Sequence, residues 1–372
     1  MIASVRVVPG RVPFTWRKLV IAGAAAVFAP AVTAAFMVES VPAAAQQPQS
    51  INWSIESQRT GNHLQLTIDS RWSANSRSTW SNDRSLAELQ GLTAIQLAGG
   101  SQAVRFALVK EAGRLDCSGS AGGSRGSGVC NFTPDPGFTT FLEARGIARP
   151  SPHQSYSLTM SGVGRDLIDA LDKNGFARPN IEQLTAMGIH GVTASYVREL
   201  GGLGYRLSAG DLVAFKIHGV DPDYIRQMAA IGPALHQIQP SDLVALRIHG
   251  VKPEFVRQMA AIGPEFRNVT ADDLVSMAIH GVRPELAQTF VQLEGGKLRS
   301  DDVVSMAIHG VSADYIRQLA ALGYRGLSAD DLVSMAIHGV TPTYVQELHR
   351  SGMTRLSADQ LVRLRLSGFD PR

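Results

Sequence analysis

The motifs that usually announce chemistry are missing from this chain. It has no His-Glu-x-x-His, no P-loop and no paired Cys-x-x-Cys. Zinc-peptidase, phosphate-cradling and zinc-ribbon chemistry therefore have no residues to build on. Net charge is nearly missing too. The formal charge is +3 over 372 residues, and four basic residues (Arg6, Arg11, Arg17, Lys18) crowd the N-terminus. The remainder is close to neutral, which argues against a strongly electrostatic partner such as nucleic acid. Cysteine is scarce, with only Cys117 and Cys130 present.

Those two cysteines sit symmetrically about Ser118 to Gly128, a Gly/Ser-rich stretch read as a loop. If the flanking segments pair as a hairpin, the thiols face each other. In an exported protein a disulfide is then the natural reading. The alternatives are two small buried hydrophobes, or a metal site that lacks a nearby His. Within the same stretch, Gly122-Gly123-Ser124-Arg125-Gly126 matches G-x-S-x-G. A nucleophile elbow needs a strand-to-helix turn, and this segment lies between two predicted strands.

At the N-terminus, Arg17-Lys18 precedes an uncharged run from Leu19 to Val38. Twenty residues can just span a bilayer. The positive charges lie before it, which predicts a cytoplasmic N-terminus and an exported remainder. Ala43-Ala44-Ala45 offers a small-x-small cleavage site. Residues 1–45 therefore read as a signal peptide or a single-pass anchor, followed by a polar linker at 46–50.

Residues 51–133 carry the alternation of a small β-rich domain, expected to be a sandwich of short strands. Trp53-Ile55 and Leu64-Leu66-Ile68 predict two strands joined by a turn at Arg59-Thr60-Gly61-Asn62. Arg71 to Arg84 is Ser/Asn-rich and reads as loop. Leu86 to Leu92 reads as a helical turn. Val104-Phe106-Leu108, Leu115-Cys117 and Val129-Phe132 predict further strands.

From residue 134 to 372 the chain repeats itself. One apolar position recurs at Phe138, Leu167, Tyr196, Tyr224, Phe255, Leu286, Tyr315 and Tyr344, in steps of 29, 29, 28, 31, 31, 29 and 29 residues. A fixed period in this range predicts an all-α solenoid, here of about eight two-helix units. The fold class is thus α+β and multidomain. The first helix of a unit begins after Gly-Val. Thr193, Asp221, Ser312 and Thr341 stand at its N-cap, and Pro222, Pro253, Pro284 and Pro342 at its first turn. It is expected to stop at an αL glycine: Gly204, Gly232, Gly263, Gly323 or Gly352. The second helix is capped by Asn180, Ser208, Thr270, Ser328 and Ser357, whereas Gln239 and Arg299 break the rule. Leu332, Val333, Ala336 and Ile337 predict a second helix buried over most of its circumference.

Two ladders run through the units. His190, His218, His249, His280, His309 and His338 each precede the Gly that ends a helix. There an imidazole can meet the last carbonyls and its charged form suits the dipole. The functional alternative is a metal or pH-sensing stripe. Stacked helices lie ~8–10 Å apart, too far for neighbouring histidines to share one ion readily. Arg198, Arg226, Arg257 and Arg317 form the second ladder, read as pairing with Asp or Glu of a neighbouring helix, with a groove for an acidic ligand as the alternative. Ile-His-Gly-Val between helices also resembles the helix-hairpin-helix of DNA-binding proteins. That motif typically carries a second Gly two places on, where Thr193, Asp221, Lys252, Arg283, Ser312 and Thr341 stand; only Gly162-Val163-Gly164 fits it.

Gly126-Ser-Gly-Val-Cys-Asn-Phe-Thr-Pro-Asp-Pro-Gly-Phe138, followed by Gly-Val-x-Pro-x-Tyr/Phe units, resembles the exported C-terminal region of bacterial β-lactam-sensor-type membrane metallopeptidases and related membrane-anchored regulators. Trp16-Arg17-Lys18 and its apolar run are similar to the last membrane helix of such proteins. The resemblance spans about residues 50–370. It implies an extracytoplasmic sensing or interaction part, with one half of a split signalling system as the alternative; without the zinc-binding motif, no protease role carries over. The expectation is a non-enzymatic envelope protein, with no catalytic or metal residues and no cofactor, that binds a protein or peptide partner through its repeats. An enzyme would instead need His, Asp and Ser converging from non-equivalent positions.

Overall fold

The computed structural model describes residues 47–57, 63–295 and 297–370. The expected signal or anchor at 1–45 and the turn at Arg59 to Asn62 lie outside the described residues. Among the described residues, no helix is long and apolar enough to cross a membrane. The fold is α+β and divides into two units, Met1–Gly164 and Arg165–Arg372.

The first unit is a single curled antiparallel sheet. Its strands are β1 (Ser50–Ser57), β2 (His63–Ser73), β3 (Ser76–Ser85), β4 (Leu89–Gln90), β5 (Gln102–Lys110), β6 (Gly113–Gly122) and β7 (Arg125–Pro134). Their order is β3-β2-β1-β7-β6-β5-β4. The expected sandwich is thus corrected, because helix supplies the second layer. Besides α1 (Ala94–Ala98) and α2 (Pro136–Glu143), the unit holds α3 (Pro152–Ser161), whose Tyr156 and Met160 join the core of the sheet. The Tyr156 ring lies 5.3 Å from Trp72 and 5.5 Å from Phe132.

Two predicted loops are strands. β2 alternates through Leu64, Leu66, Ile68, Ser70 and Trp72, all buried. Polar Ser76–Ser85 pairs along it as an edge strand. Hydroxyl pairs such as Thr67 with Ser81 (3.0 Å) and Ser70 with Ser78 (2.8 Å) stand where apolar alternation was sought. The Gly/Ser stretch from 118 is the β6–β7 hairpin, turning only at Gly123 and Ser124, both at positive φ. A two-residue turn of this hand requires that at both positions, so the G-x-S-x-G match is strand-turn-strand. Its glycines make room for an indole. A Cβ on Gly128 would stand 2.1 Å from the Ser118 carbonyl and 2.7 Å from Nε1 of Trp53. Trp53 Nε1 itself donates to the Ser118 carbonyl at 3.1 Å. Cys117 and Cys130 are direct cross-strand partners and form a disulfide.

The second unit is a repeat-like helical region. Its helices are α4 (Arg165–Lys173), α5 (Ile181–Ile189), α6 (Ala194–Gly202), α7 (Ala209–His218), α8 (Pro222–Ala229), α9 (Pro240–Ile248), α10 (Pro253–Ile262), α11 (Ala271–Ile279), α12 (Pro284–Glu294), α13 (Ser300–Ile308), α14 (Ala313–Ala321), α15 (Ala329–Ile337), α16 (Pro342–Arg350) and α17 (Ala358–Leu366). Even-numbered helices, the first of each pair, pack on one another in succession, and so do odd-numbered ones.

Local chemistry sets these boundaries. Thr193, Asp221, Ser312 and Thr341 accept from the amides of Tyr196, Tyr224, Tyr315 and Tyr344 at 3.2, 2.7, 3.1 and 3.1 Å. Arg299 cannot cap. Instead the Asp302 carboxylate accepts from the Arg299 amide and guanidinium, each at 2.9 Å. That guanidinium, against burial, holds the Asp302 carboxyl below the usual range.

The αL expectation fails at Gly232 and Gly263, whose φ values are −172° and −177°. Each precedes a proline, which disfavours the α region for the residue before it. Single-turn 3-10 segments at Pro233–Leu235 and Pro264–Asn268 follow. These insertions sit in the two 31-residue steps.

Consecutive pairs are joined by tyrosines. The hydroxyl of Tyr196 donates to the Val220 carbonyl at 2.6 Å, Tyr224 to Val251 at 3.0 Å, Tyr315 to Val340 at 2.8 Å and Tyr344 to Phe369 at 3.3 Å. Phe255 and Leu286 hold the equivalent positions without a hydroxyl. Lys216, Arg247 and Arg365 each place a cation 4.8 Å from the ring centroid of Tyr196, Tyr224 and Tyr344. Opposite Phe255 and Leu286 the matching residues are Ala278 and Ala307.

Candidate interaction face of the helical repeats

The second helix of each pair buries a narrow stripe. On α15 that stripe is Leu332 and Met335, both fully buried. At about 100° per residue, Ile337 lies about 170° from the middle of that stripe. It is 55% exposed. The expectation of a helix buried almost all round is thereby corrected: the apolar residues were counted by type, and the helical angle separates them.

The same position recurs as Ile189, Ile217, Ile248, Ile279, Ile308, Ile337 and Leu366, exposed from 44% at Ile189 to 64% at Leu366. Seven large apolar side chains, one per second helix, form an exposed row across the stacked helices. Isolated exposed apolar residues are ordinary; here the exposure recurs at the same position of every second helix. Sequence reasoning missed it, although the signal was present. A residue that is Ile or Leu in every unit yet falls opposite the Leu/Met stripe has no core to fill.

The histidine ladder borders this row. Each His follows its Ile and occupies the C-cap of α5, α9, α11, α13 and α15, or the last residue of α7. His190, His218, His249, His280 and His309 are exposed and His338 is half-buried. The helix ends are closed by backbone. Gly191 donates to the Gly188 carbonyl at 3.2 Å and Val192 to Met187 at 2.9 Å, and the Val bond repeats at 220, 251, 282, 311 and 340. The glycines at 191, 219, 250, 281, 310 and 339 have φ between +65° and +77°. Those carbonyls are therefore met by amides, leaving the imidazoles on the surface. Among the described residues, no group of three or more His, Cys, Asp or Glu is gathered to hold a metal ion.

The arginine ladder lies on the first helices and is occupied internally. Arg198 meets Asp166 at 3.0 Å and Arg226 meets Glu199 at 2.7 Å. Arg257 donates to Gln227 at 2.9 Å, and Arg317 pairs with Glu285 and Asp314. In each case one partner belongs to the preceding first helix. The ladder links neighbouring first helices, and as an exposed, solvent-screened set each pair contributes little.

In the sheet unit a shallow polar concavity gathers Ser54, Glu56, Thr67, Ser120 and Arg125. Glu56 and Arg125 pair across it at 3.6 Å, and no histidine lines it.

No family model and no curated protein matches this chain. What the exposed face can bind follows from its own residues: an apolar row, small neighbours, and polar borders above and below.

Proposed function

We propose that this chain is a non-enzymatic interaction protein whose helical-repeat solenoid binds a protein or peptide partner along the Ile189-to-Leu366 row. The observation that carries this reading is the repeated exposure of a large aliphatic residue at one helical position, with Ile308 53% exposed two residues after fully buried Met306. Solenoids present long surfaces of this kind to partners. The disulfide is consistent with an oxidising compartment and supports an envelope location outside the cytoplasm. The resemblance of residues 50–370 to the exported region of β-lactam-sensor-type membrane metallopeptidases supports a sensing role for that recognition.

The test is a photo-crosslinking residue placed in the full chain, in cells, at Ile308 or at Arg226 on the first-helix face. Defined adducts at position 308 and none at 226 are expected. The same adducts from both positions, or none from either, would remove the basis for the reading.

A further inference from the structure

The exposed face is not uniform along the repeats. On α7, α9 and α17 the residue before the exposed aliphatic is Lys216, Arg247 or Arg365, whereas on α11, α13 and α15 it is Ala278, Ala307 or Ala336. These three helices read ADDLVSMAI, SDDVVSMAI and ADDLVSMAI. None contains a lysine or arginine.

Seven residues before each exposed isoleucine stands an aspartate: Asp272 before Ile279, Asp301 before Ile308, and Asp330 before Ile337. Seven residues are nearly two full turns, so the pair share one side of the helix, ~10.5 Å apart along it. All three aspartates are exposed. Their neighbours Asp273 and Asp331 are engaged in N-capping boxes, and Asp302 is bound by Arg299. Arg299 lies close to Asp301 and Asp330. The face thus carries a carboxylate row and an apolar row in parallel, with imidazoles along the far side.

Resting on the reading above, we propose that α11, α13 and α15 together receive an amphipathic helix laid across them, with an apolar residue at every seventh position and lysine or arginine along one flank. The spacing sets the first condition. Packed helices stand ~8–10 Å apart, and a seven-residue step of a helix advances ~10.5 Å, so successive apolar residues meet successive isoleucines. Charge sets the second. A helix is ~10–12 Å across, wide enough that one flank overlies the aspartate row while its apolar side sits on the isoleucines. Alanine before each isoleucine lets the partner approach without displacing a long cation.

The experiment uses the full chain and labelled 24-residue helical peptides, read by fluorescence anisotropy. One peptide has Leu at every seventh position and a Lys flank, the second has Glu in place of Lys, and the third has the Lys flank with Leu positions scrambled. The Lys-flank heptad peptide is expected to bind at least tenfold more tightly than the other two. That preference is expected to vanish in the D272N/D301N/D330N protein, with unchanged circular dichroism and thermal midpoint as the folding control. Equal binding of the Lys and Glu peptides, or binding unaffected by the three Asn substitutions, overturns the inference. If no peptide binds while crosslinking from position 308 still yields defined adducts, the partner class is wrong and the interaction reading stands. If crosslinking fails as well, both fall.

Discussion

The Tyr224 hydroxyl donates to the Val251 carbonyl 3.0 Å away, across the boundary between consecutive helix pairs. The same tyrosine receives the Asp221 cap on its amide at 2.7 Å and the Arg247 guanidinium over its ring at 4.8 Å. One residue therefore starts its own helix and fastens the next unit.

Replacing Tyr224 by Phe keeps the ring, the cap and the cation, and removes only the hydroxyl. The expected loss is about 1 kcal/mol, the usual worth of a hydrogen bond whose acceptor is left buried. Urea unfolding followed by far-UV circular dichroism measures it. An unchanged midpoint would mean that the phenol bond contributes nothing to joining the units.

Alkaline pH should act on the same bonds. All seven tyrosines are held above their usual value, with burial the leading cause; Tyr156, Tyr224 and Tyr315 are pushed up to about 12. Below pH about 10, folded and unfolded chains both keep their phenols protonated, so stability does not depend on them. Above that the unfolded chain ionises first, and stability falls between about pH 10 and about pH 12. Phenolate absorbance should rise together with loss of helical signal. Tyrosines titrating near pH 10 in a chain that stays helical would contradict this.

Gly128 and Gly250 differ in what a methyl group would meet. At Gly128 a Cβ stands 2.1 Å from the Ser118 carbonyl, and at Gly250, φ +69°, nothing lies within 4 Å. Gly250→Ala should cost about 1–2 kcal/mol, the backbone penalty alone. Gly128→Ala should cost about 3 kcal/mol through overpacking against the Ser118 and Gly119 backbone and Trp53. Tryptophan fluorescence follows the first variant pair member poorly and the second well, because Trp53, Trp72 and Trp80 all lie in the sheet unit. Equal losses from the two substitutions would refute the packing account.

Removing the cross-strand bond by Cys117→Ala with Cys130→Ala opens a short closed loop, with a sequence separation of 13 residues. Loops of this size are stabilised by about 3 kcal/mol. The double variant should lower the denaturation midpoint reported by tryptophan fluorescence. A midpoint unmoved by the double substitution or by reduction would assign the stability of the hairpin to Trp53 packing instead.

Periodicity made the helical region legible. The caps at Thr193 or Ser328 and the tyrosine register were readable because short-range hydrogen bonding fixes them within three or four residues. The strand content of Ser76–Ser85 and of residues 118–128 was not readable. Edge pairing and hydroxyl pairs replace apolar alternation in the first, and a distant indole, Trp53, dictates the glycines of the second. The Gly232 and Gly263 conformations were readable in principle, since each stands before a proline. The exposed isoleucines were hidden for another reason: hydropathy records what a side chain is, and only the helical angle from Leu332 and Met335 records where it goes.

The absence of a hydroxyl at Phe255 and Leu286 has a mechanical meaning. With Ala278 and Ala307 opposite them, these two joints have neither the phenol bond nor the cation that fastens the joints after Tyr196, Tyr224 and Tyr344. The first joint, with Leu167 in the register and Gly188 opposite, lacks both as well, so these three joints rest on apolar packing and exposed polar pairs alone. A change of curvature would break no phenol bond and displace no cation at those three joints, whereas at the joints after Tyr196, Tyr224 and Tyr344 it would have to do both.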